Sequence, residues 1–152
     1  MKFLKQLLLI IVFFFGELST FAQNQPIEFK RLTIENGLAQ DRITSIFQDS
    51  FGFMWFGTNG NGISKFDSYE FKEYKHNTNN KNSLSDNYIN SFYEDKKHRL
   101  WVATSIGLNY YDRENDRFIR FQTLQQEYIT GFYENETGKL FVITSTSINE
   151  IN

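Results

Sequence analysis

The 152-residue sequence has no cysteine, one proline and two histidines. Without cysteine there is no disulfide framework, no thiolate zinc site, no cysteine nucleophile and no lipid-bearing cysteine. His76 and His98 leave little for imidazole chemistry. Positive charge is not in excess: 16 Lys and Arg face 18 Asp and Glu, for a formal net charge of -2. That balance excludes a basic nucleic-acid patch as the organising feature. What is abundant is aromatic, with 17 Phe, 8 Tyr and 2 Trp making 18% of the chain. Such a chain is not of the disordered class, and its length allows one ordinary domain at most.

The first 22 residues read as a targeting segment. Lys2 and Lys5 form a short positive region ahead of an unbroken apolar run from Leu7 to Phe15. Thr20, Phe21 and Ala22 supply a small-x-small cleavage site, with cleavage expected after Ala22. The run is shorter than the roughly 20 apolar residues of a spanning helix. We therefore expect a secretory signal peptide over 1–22, an uncleaved anchor being the alternative, and a periplasmic location. No later segment is apolar enough to span. A mature chain without cysteine is indifferent to oxidising surroundings.

The rest of the chain repeats. Ile43, Ile89 and Ile129 each open an apolar segment that ends six residues later at Asp49, Asp95 or Asn135. A bulky aromatic follows each Ile by 12 residues, namely Trp55, Trp101 and Phe141. Thr58, Thr104 and Thr144 follow three residues after that. Successive copies are 46 and then 40 residues apart, and every length difference falls in a loop. Each copy reads as four short strands rich in Ile, Phe, Tyr, Trp and Thr. In the first copy they are Arg42 to Gln48, Phe53 to Thr58, Gly62 to Asp67 and Glu70 to Lys75. In the second, the third and fourth strands are Gly107 to Asp112 and Arg117 to Gln122. The apolar pattern is fuller than strict alternation, which fits sheets covered on both faces.

The turn chemistry agrees. Asp49 and Gly52, and Asn135 and Gly138, put an Asx residue first and glycine fourth in a tight turn. His98 replaces that glycine in the second copy, at a position where a positive φ is expected. Four antiparallel strands at a 40- to 46-residue period describe β-propeller blades. Trp55, Trp101 and Phe141 are then expected to pack between blades. Gly57 and Ala103, two residues on, would let neighbouring sheets approach, whereas Ile143 at the third such position predicts looser packing.

This repeat, from the leading Ile through Trp, Gly or Ala, and Thr to a final Phe or Tyr before Asp67 or Asp112, resembles the two-component regulator propeller repeat. The opening Phe29 to Thr33, the stretch Glu35 to Leu38 and the linker Asn82 to Asn87 are similar to the same family. The resemblance covers the chain from about Phe29 to Asn152. It implies the N-terminal periplasmic sensor region of a Bacteroidetes-type hybrid two-component histidine kinase. It further implies a parent that is anchored in the inner membrane, homodimeric, and responsive to glycan-derived ligands. The fold class expected is all-β, an incomplete β-propeller of about two and three-quarter four-stranded blades behind a signal peptide. The segments expected are 23–41 as an N-terminal strand and lead-in, 42–87 as blade 1 with its linker, 88–127 as blade 2, and 128–152 as part of blade 3. Ile27 to Thr33 in particular reads as a lone fourth strand. So few blades leave a ring of four to eight unfinished, so the sequence reads as part of a longer or truncated product partnered by further blades of its parent. Closure by oligomerisation is the alternative.

No nucleotide loop, zinc-protease motif or nucleophile elbow is present in the sequence. Asp49 and Asp95, like Asp67 and Asp112, occupy equivalent repeat positions and are expected to cap turns rather than to form the close carboxylate pair of a glycosidase. We expect no catalytic residue, no metal ligand and no cofactor on this chain, no nucleic-acid partner, and no kinase motif. Asn59 to Gly62 reads as a hairpin connection, although its composition is that of a phosphate-cradling loop. The Asn-rich stretch His76 to Asn87 reads as an inter-blade loop. An extracytoplasmic ligand-sensing module is the function expected first. A secreted propeller-type carbohydrate-active enzyme and an exported interaction scaffold are the alternatives.

Overall fold

A computed structural model describes residues 28–151. The expected signal peptide and its cleavage site lie outside the described residues. Among the described residues, eleven strands form three antiparallel sheets. Sheet 1 holds β1 (Ile43–Gln48), β2 (Met54–Thr58), β3 (Ile63–Phe66) and β4 (Phe71–Tyr74), each paired with the next. Sheet 2 repeats the order with β5 (Ile89–Glu94), β6 (Leu100–Thr104), β7 (Gly107–Asp112) and β8 (Arg117–Gln125). Sheet 3 has β9 (Ile129–Glu134), β10 (Leu140–Thr144) and β11 (Ile148–Ile151). The all-β propeller-blade class is therefore the one observed. β8 runs three residues beyond the expected Gln122, because Gln125 pairs with Gly107 past an irregularity in the ladder.

The expected strand over 27–33 does not form across its described part. A strand exists only where its N–H and C=O groups find a ladder partner, and residues 28–33 have none among the described residues. Instead Thr33 begins a short 3-10 helix, Ile34–Asn36, whose Asn36 Oδ1 accepts from the Thr33 N–H at 3.0 Å. Gly37 ends it at φ 100°, in the left-handed region that glycine reaches without strain. The chain then buries Leu38, and Ser64 Oγ of β3 accepts from the Ala39 N–H at 2.9 Å.

The sheets share one register. Ile43, Ile89 and Ile129 face Thr58, Thr104 and Thr144 across the first ladder of each sheet. In every sheet one residue beside that pair, Thr44, Asn90 or Thr130, has no ladder partner, making a bulge at the same repeat position. A bulge re-aims a side chain. Here Thr44 Oγ1 donates to the Ile89 carbonyl at 2.6 Å, and Asn90 Nδ2 donates to the Ile129 carbonyl at 2.8 Å. The first two bulges thus tie their sheets to the leading isoleucine of the next, whereas Thr130 Oγ1 donates to the Ile143 carbonyl of its own sheet at 3.0 Å.

Two apolar layers fill the seams. Trp55, fully buried, packs against Ile89, Phe92, Leu100, Val102, Tyr111 and Phe118 of sheet 2. Trp101 and Ala103 pack with Ile129, Leu140, Val142 and Ile151 of sheet 3. Phe141 holds the matching register opposite Tyr133, as Trp55 does opposite Phe47. Its ring, however, lies with Tyr133, Ile143 and Ile148 around an apolar cavity rather than against a further sheet among the described residues. Ile43 is only half-buried while Ile89 and Ile129 are covered, because each of those two lies in the seam behind the preceding sheet.

Gly57 sets the approach of the first two sheets. A Cβ placed there would stand 2.6 Å from Ile89 Cγ2 and 3.1 Å from the Phe92 ring. Gly57→Ala is expected to destabilise the chain by about 1–3 kcal/mol through overpacking, read from the urea midpoint. Ala introduced at Gly131, which has nothing within 4 Å of its Cβ position, is the control and should leave that midpoint nearly unmoved.

Candidate functional site

The turn carboxylates do more than cap. Asp49 Oδ1 accepts from the Phe51 and Phe53 N–H groups, each at 3.0 Å, and Oδ2 accepts from the Trp55 indole N–H at 2.9 Å. Asp95 repeats this with the Lys97 and Arg99 N–H groups at 2.9 and 3.0 Å and the Trp101 indole at 2.9 Å. In the third copy Asn135 Oδ1 accepts from the Lys139 N–H at 2.9 Å, and the Phe141 side chain has no N–H to offer. The charge and the indole are lost together. The turns close as expected, with Gly52, His98 and Gly138 at φ 89°, 59° and 82°. Thr58 and Thr104 Oγ1 donate to the Gly62 and Gly107 carbonyls at 2.8 Å, closing the second hairpins, and Thr144 Oγ1 bonds the Ser147 carbonyl more loosely at 3.3 Å.

Charged groups join the first two sheets where the turns converge. Arg113 donates to Asp49 Oδ2 at 2.9 Å and to Glu94 Oε1 at 3.1 Å, and its guanidinium lies 4.2 Å from the centre of the Phe51 ring. Glu94 accepts from the Ser50 N–H at 2.7 Å. A second network adjoins it through the same turn between β7 and β8, which carries both Arg113 and Asp116. Asp116 accepts from Lys72, Tyr74 and Tyr111. Burial alone would push the Asp116 carboxyl up; the bonds from Lys72, Tyr111 and Tyr74 outweigh it and hold the carboxyl at about 2. Burial, then the bond to Asp116, pushes the Tyr111 hydroxyl up to about 12, and the same causes raise Tyr74 further. Lys65 lies 4.0 Å from the centre of the Phe53 ring, and burial lowers its ammonium below the ordinary range.

Beside this network a cavity of about 580 Å3 opens between β4, the start of β8 and the Asn-rich connection. Its floor is Tyr74, Leu84 and Phe118; its rim includes Glu73, Lys75, His76, Asn77, Thr78, Asn80, Asn82 and Arg117. The rim is an ordered loop. Arg120 donates to the Ser83 carbonyl at 3.0 Å, to the Asn77 carbonyl at 2.9 Å and to Ser83 Oγ at 2.8 Å. His76 Nδ1 lies 2.7 Å from the Leu84 carbonyl, and the His76 N–H donates to Asn87 Oδ1 at 2.7 Å.

The Asn59 to Gly62 loop is not a free cradle. The Gly60 and Gly62 N–H groups donate to the Asn87 carbonyl at 3.2 and 2.9 Å, and the Asn61 N–H donates to Thr58 Oγ1 at 3.0 Å. The repeat positions Ile43, Asp49, Trp55, Gly57 and Thr58, with their counterparts in the second and third copies, build hairpins and seams and do not converge on the cavity. The residues around it come from the inter-repeat connection and the outer strands. Their one sequence signal is the density of asparagine between His76 and Asn87.

Two measurements follow from the anchors. In a double-mutant cycle, Asp95→Asn and Trp101→Phe should each destabilise the chain but couple by about 1.5–3 kcal/mol, the range for hydrogen bonds to a charged acceptor. Guanidinium unfolding of the four proteins reads the coupling. Because the folded Asp116 carboxyl titrates at about 2, below the roughly 3.9 of an unfolded aspartate, its contribution is present above about pH 4 and fades as pH falls toward 2. Asp116→Asn should flatten that part of the stability profile, measured by thermal unfolding between pH 2 and 5.

Residues 37–60 and 83–105 match the family model described as two component regulator propeller. The curated histidine kinase P4 of Formosa agariphila is 40% identical over 76 residues, which are 50% of this chain and 6% of that protein. The solved extracellular domain of a hybrid two component system from B. thetaiotaomicron superposes with a TM-score of 0.65 at 31% identity, over 74% of this chain and 17% of that one. A second such domain from the same organism gives 0.61 at 29%, over 72% and 16%. The chain thus spans a small part of each relative's length. In its matched repeats and its blade-stacked sheets, the chain is similar to the two-component regulator propeller family over residues 37–60 and 83–105.

Proposed function

We propose that this chain is a stretch of an extracytoplasmic ligand-sensing propeller whose parent passes the signal to a histidine kinase. The observation that carries this reading is the superposition on the extracellular domain of a hybrid two component system over 74% of the chain at 31% identity. The apolar run behind Lys2 and Lys5 supports export. In this reading the module works in the periplasm, as part of a homodimeric parent held in the inner membrane. The remaining blades come from that parent, and the ligand is derived from glycans. The chain contributes recognition and transmission rather than catalysis.

The test has two arms. Alkaline phosphatase fused after Asn152 should be active in cells, with a mature N-terminus at Gln23 by mass spectrometry; an inactive fusion in the cytoplasm overturns the periplasmic reading. In the source organism, Trp101→Ala in the chromosomal copy should abolish transcriptional induction by the polysaccharide that normally elicits it. A buried tryptophan truncation costs about 3–5 kcal/mol, so the blade stack is compromised. Unchanged induction across a panel of polysaccharides counts against the sensing role.

A further inference from the structure

We propose that the crevice between the first two blades is itself a ligand site, and that its ligand is an uncharged polyhydroxylated molecule of the sugar class. This rests on the sensing function proposed above and adds to it the place and chemistry of recognition. The cavity, about 580 Å3, falls within the range typical of small-molecule sites, about 300–1,000 Å3.

The rim is pre-formed and its donors are left over. Asn77 Oδ1 accepts from the Asn79 N–H and Asn80 Oδ1 from the Asn82 N–H, each at 2.9 Å. Those two bonds shape the loop and use only the amide oxygens. The Asn77 and Asn80 amide NH2 groups, and the Thr78 hydroxyl, have no hydrogen-bond partner among the described residues. Amide NH2 groups donate to hydroxyl and ether oxygens without requiring charge. The charged rim groups are largely balanced: Lys75 pairs with Glu73 at 2.6 Å and Arg117 Nε with Asp112 at 3.0 Å, while Asp116 is taken up by Lys72 and the two tyrosines. A strongly charged ligand would find no unpaired opposite charge there. A ligand with many hydroxyls and no net charge matches what remains. Arg120, which fastens the loop from behind through Asn77, Asn80 and Ser83, keeps this rim in place before any ligand arrives, which lowers the ordering cost of binding.

Saturation-transfer difference NMR on the whole mature chain, with maltose, cellobiose, mannobiose and xylobiose as separate probes, tests this. At least one neutral disaccharide should give transfer. The double variant Asn77→Asp/Asn80→Asp keeps both turn-forming oxygens and replaces each free NH2 donor with a carboxylate oxygen, adding two negative charges to the rim. It should weaken that signal about tenfold, as should Thr78→Val to a smaller degree, with the thermal midpoint of each within error of the parent. Asn135→Asp, in the third copy's turn, is the control and should bind as the parent does. No transfer from any of the four sugars overturns the site. Binding that survives the double variant overturns the crevice while leaving the sensing function standing, and a preference for glucuronic acid over all four overturns the uncharged class. The phosphatase fusion and the transcriptional test stand or fall independently of these outcomes.

Discussion

The indole–carboxylate bond is the constraint from which the rest of this structure follows. A carboxylate as buried as Asp49 or Asp95 is costly unless its oxygens are fully partnered. Each of the two has four donors. Two are N–H groups of its own turn and one is the tryptophan six residues on. The fourth is an arginine, Arg113 from sheet 2 for Asp49 and Arg99 from the same hairpin for Asp95. The shape of the turn, the rotamer of the tryptophan and the face that the tryptophan offers to the next sheet are therefore set together. In the third copy an amide caps the turn and phenylalanine fills the aromatic position, so the loss of the indole donor comes with loss of the charge it would have served.

Stacking then proceeds by two devices at fixed places in the repeat. A small residue two positions after the tryptophan lets the neighbouring leading isoleucine approach, closely enough at Gly57 that even a methyl group has no room. A bulge residue next to the leading isoleucine reaches across the same gap to the following isoleucine's carbonyl. The first device supplies dispersion and apolar burial, the second satisfies a backbone acceptor that faces the seam. The seams nevertheless differ in character. In the first, Trp55 meets aromatic rings, with its centroid 4.8 Å from that of Tyr111 and 6.0 Å from that of Phe118. In the second, Trp101 meets Leu140, Val142 and Ile151. The first seam is also crossed by ion pairs and hydrogen bonds from Arg113 and Asp116, both in the turn between β7 and β8, so its geometry is fixed by charge as well as by packing.

The strands, their order and the seam positions of Trp55 and Trp101 were legible in the sequence because each is expressed as a spacing. Twelve residues from isoleucine to the bulky aromatic, and three more to threonine, survive every change in loop length. The bulges were not legible. An unpaired residue at Thr44 occurs in every copy, so it leaves the spacing unchanged and has no compositional mark. Residues 28–33 misled for the opposite reason: they have a strand's composition, but a strand also needs a ladder partner, and none lies beside them among the described residues. The Asp116 network escaped because its members, Lys72, Tyr74 and Tyr111, lie in two repeats and meet only through the stacking of sheets. Asparagine density marked the His76 to Asn87 connection as a loop but said nothing of its order, since the residue that fixes it, Arg120, sits in a strand of the next sheet.

The crevice has walls from two sheets, and that bears on how occupancy of it would be felt. Its floor takes Tyr74 from sheet 1 and Phe118 from sheet 2, whose ring centroids are 5.1 Å apart, and the loop above joins the same two sheets. A ligand contacting both walls binds only the seam in which they are correctly spaced, and by linkage it stabilises that arrangement over any in which the sheets have shifted. The polar seam at Asp116 lies immediately beneath. Because tyrosine and lysine donors from both sheets converge on one carboxylate, the seam resists gradual opening; losing one donor leaves a half-buried charge less well paired. Binding energy spent in the proposed crevice site would thus be directed at the relative position of two blades rather than at a single loop.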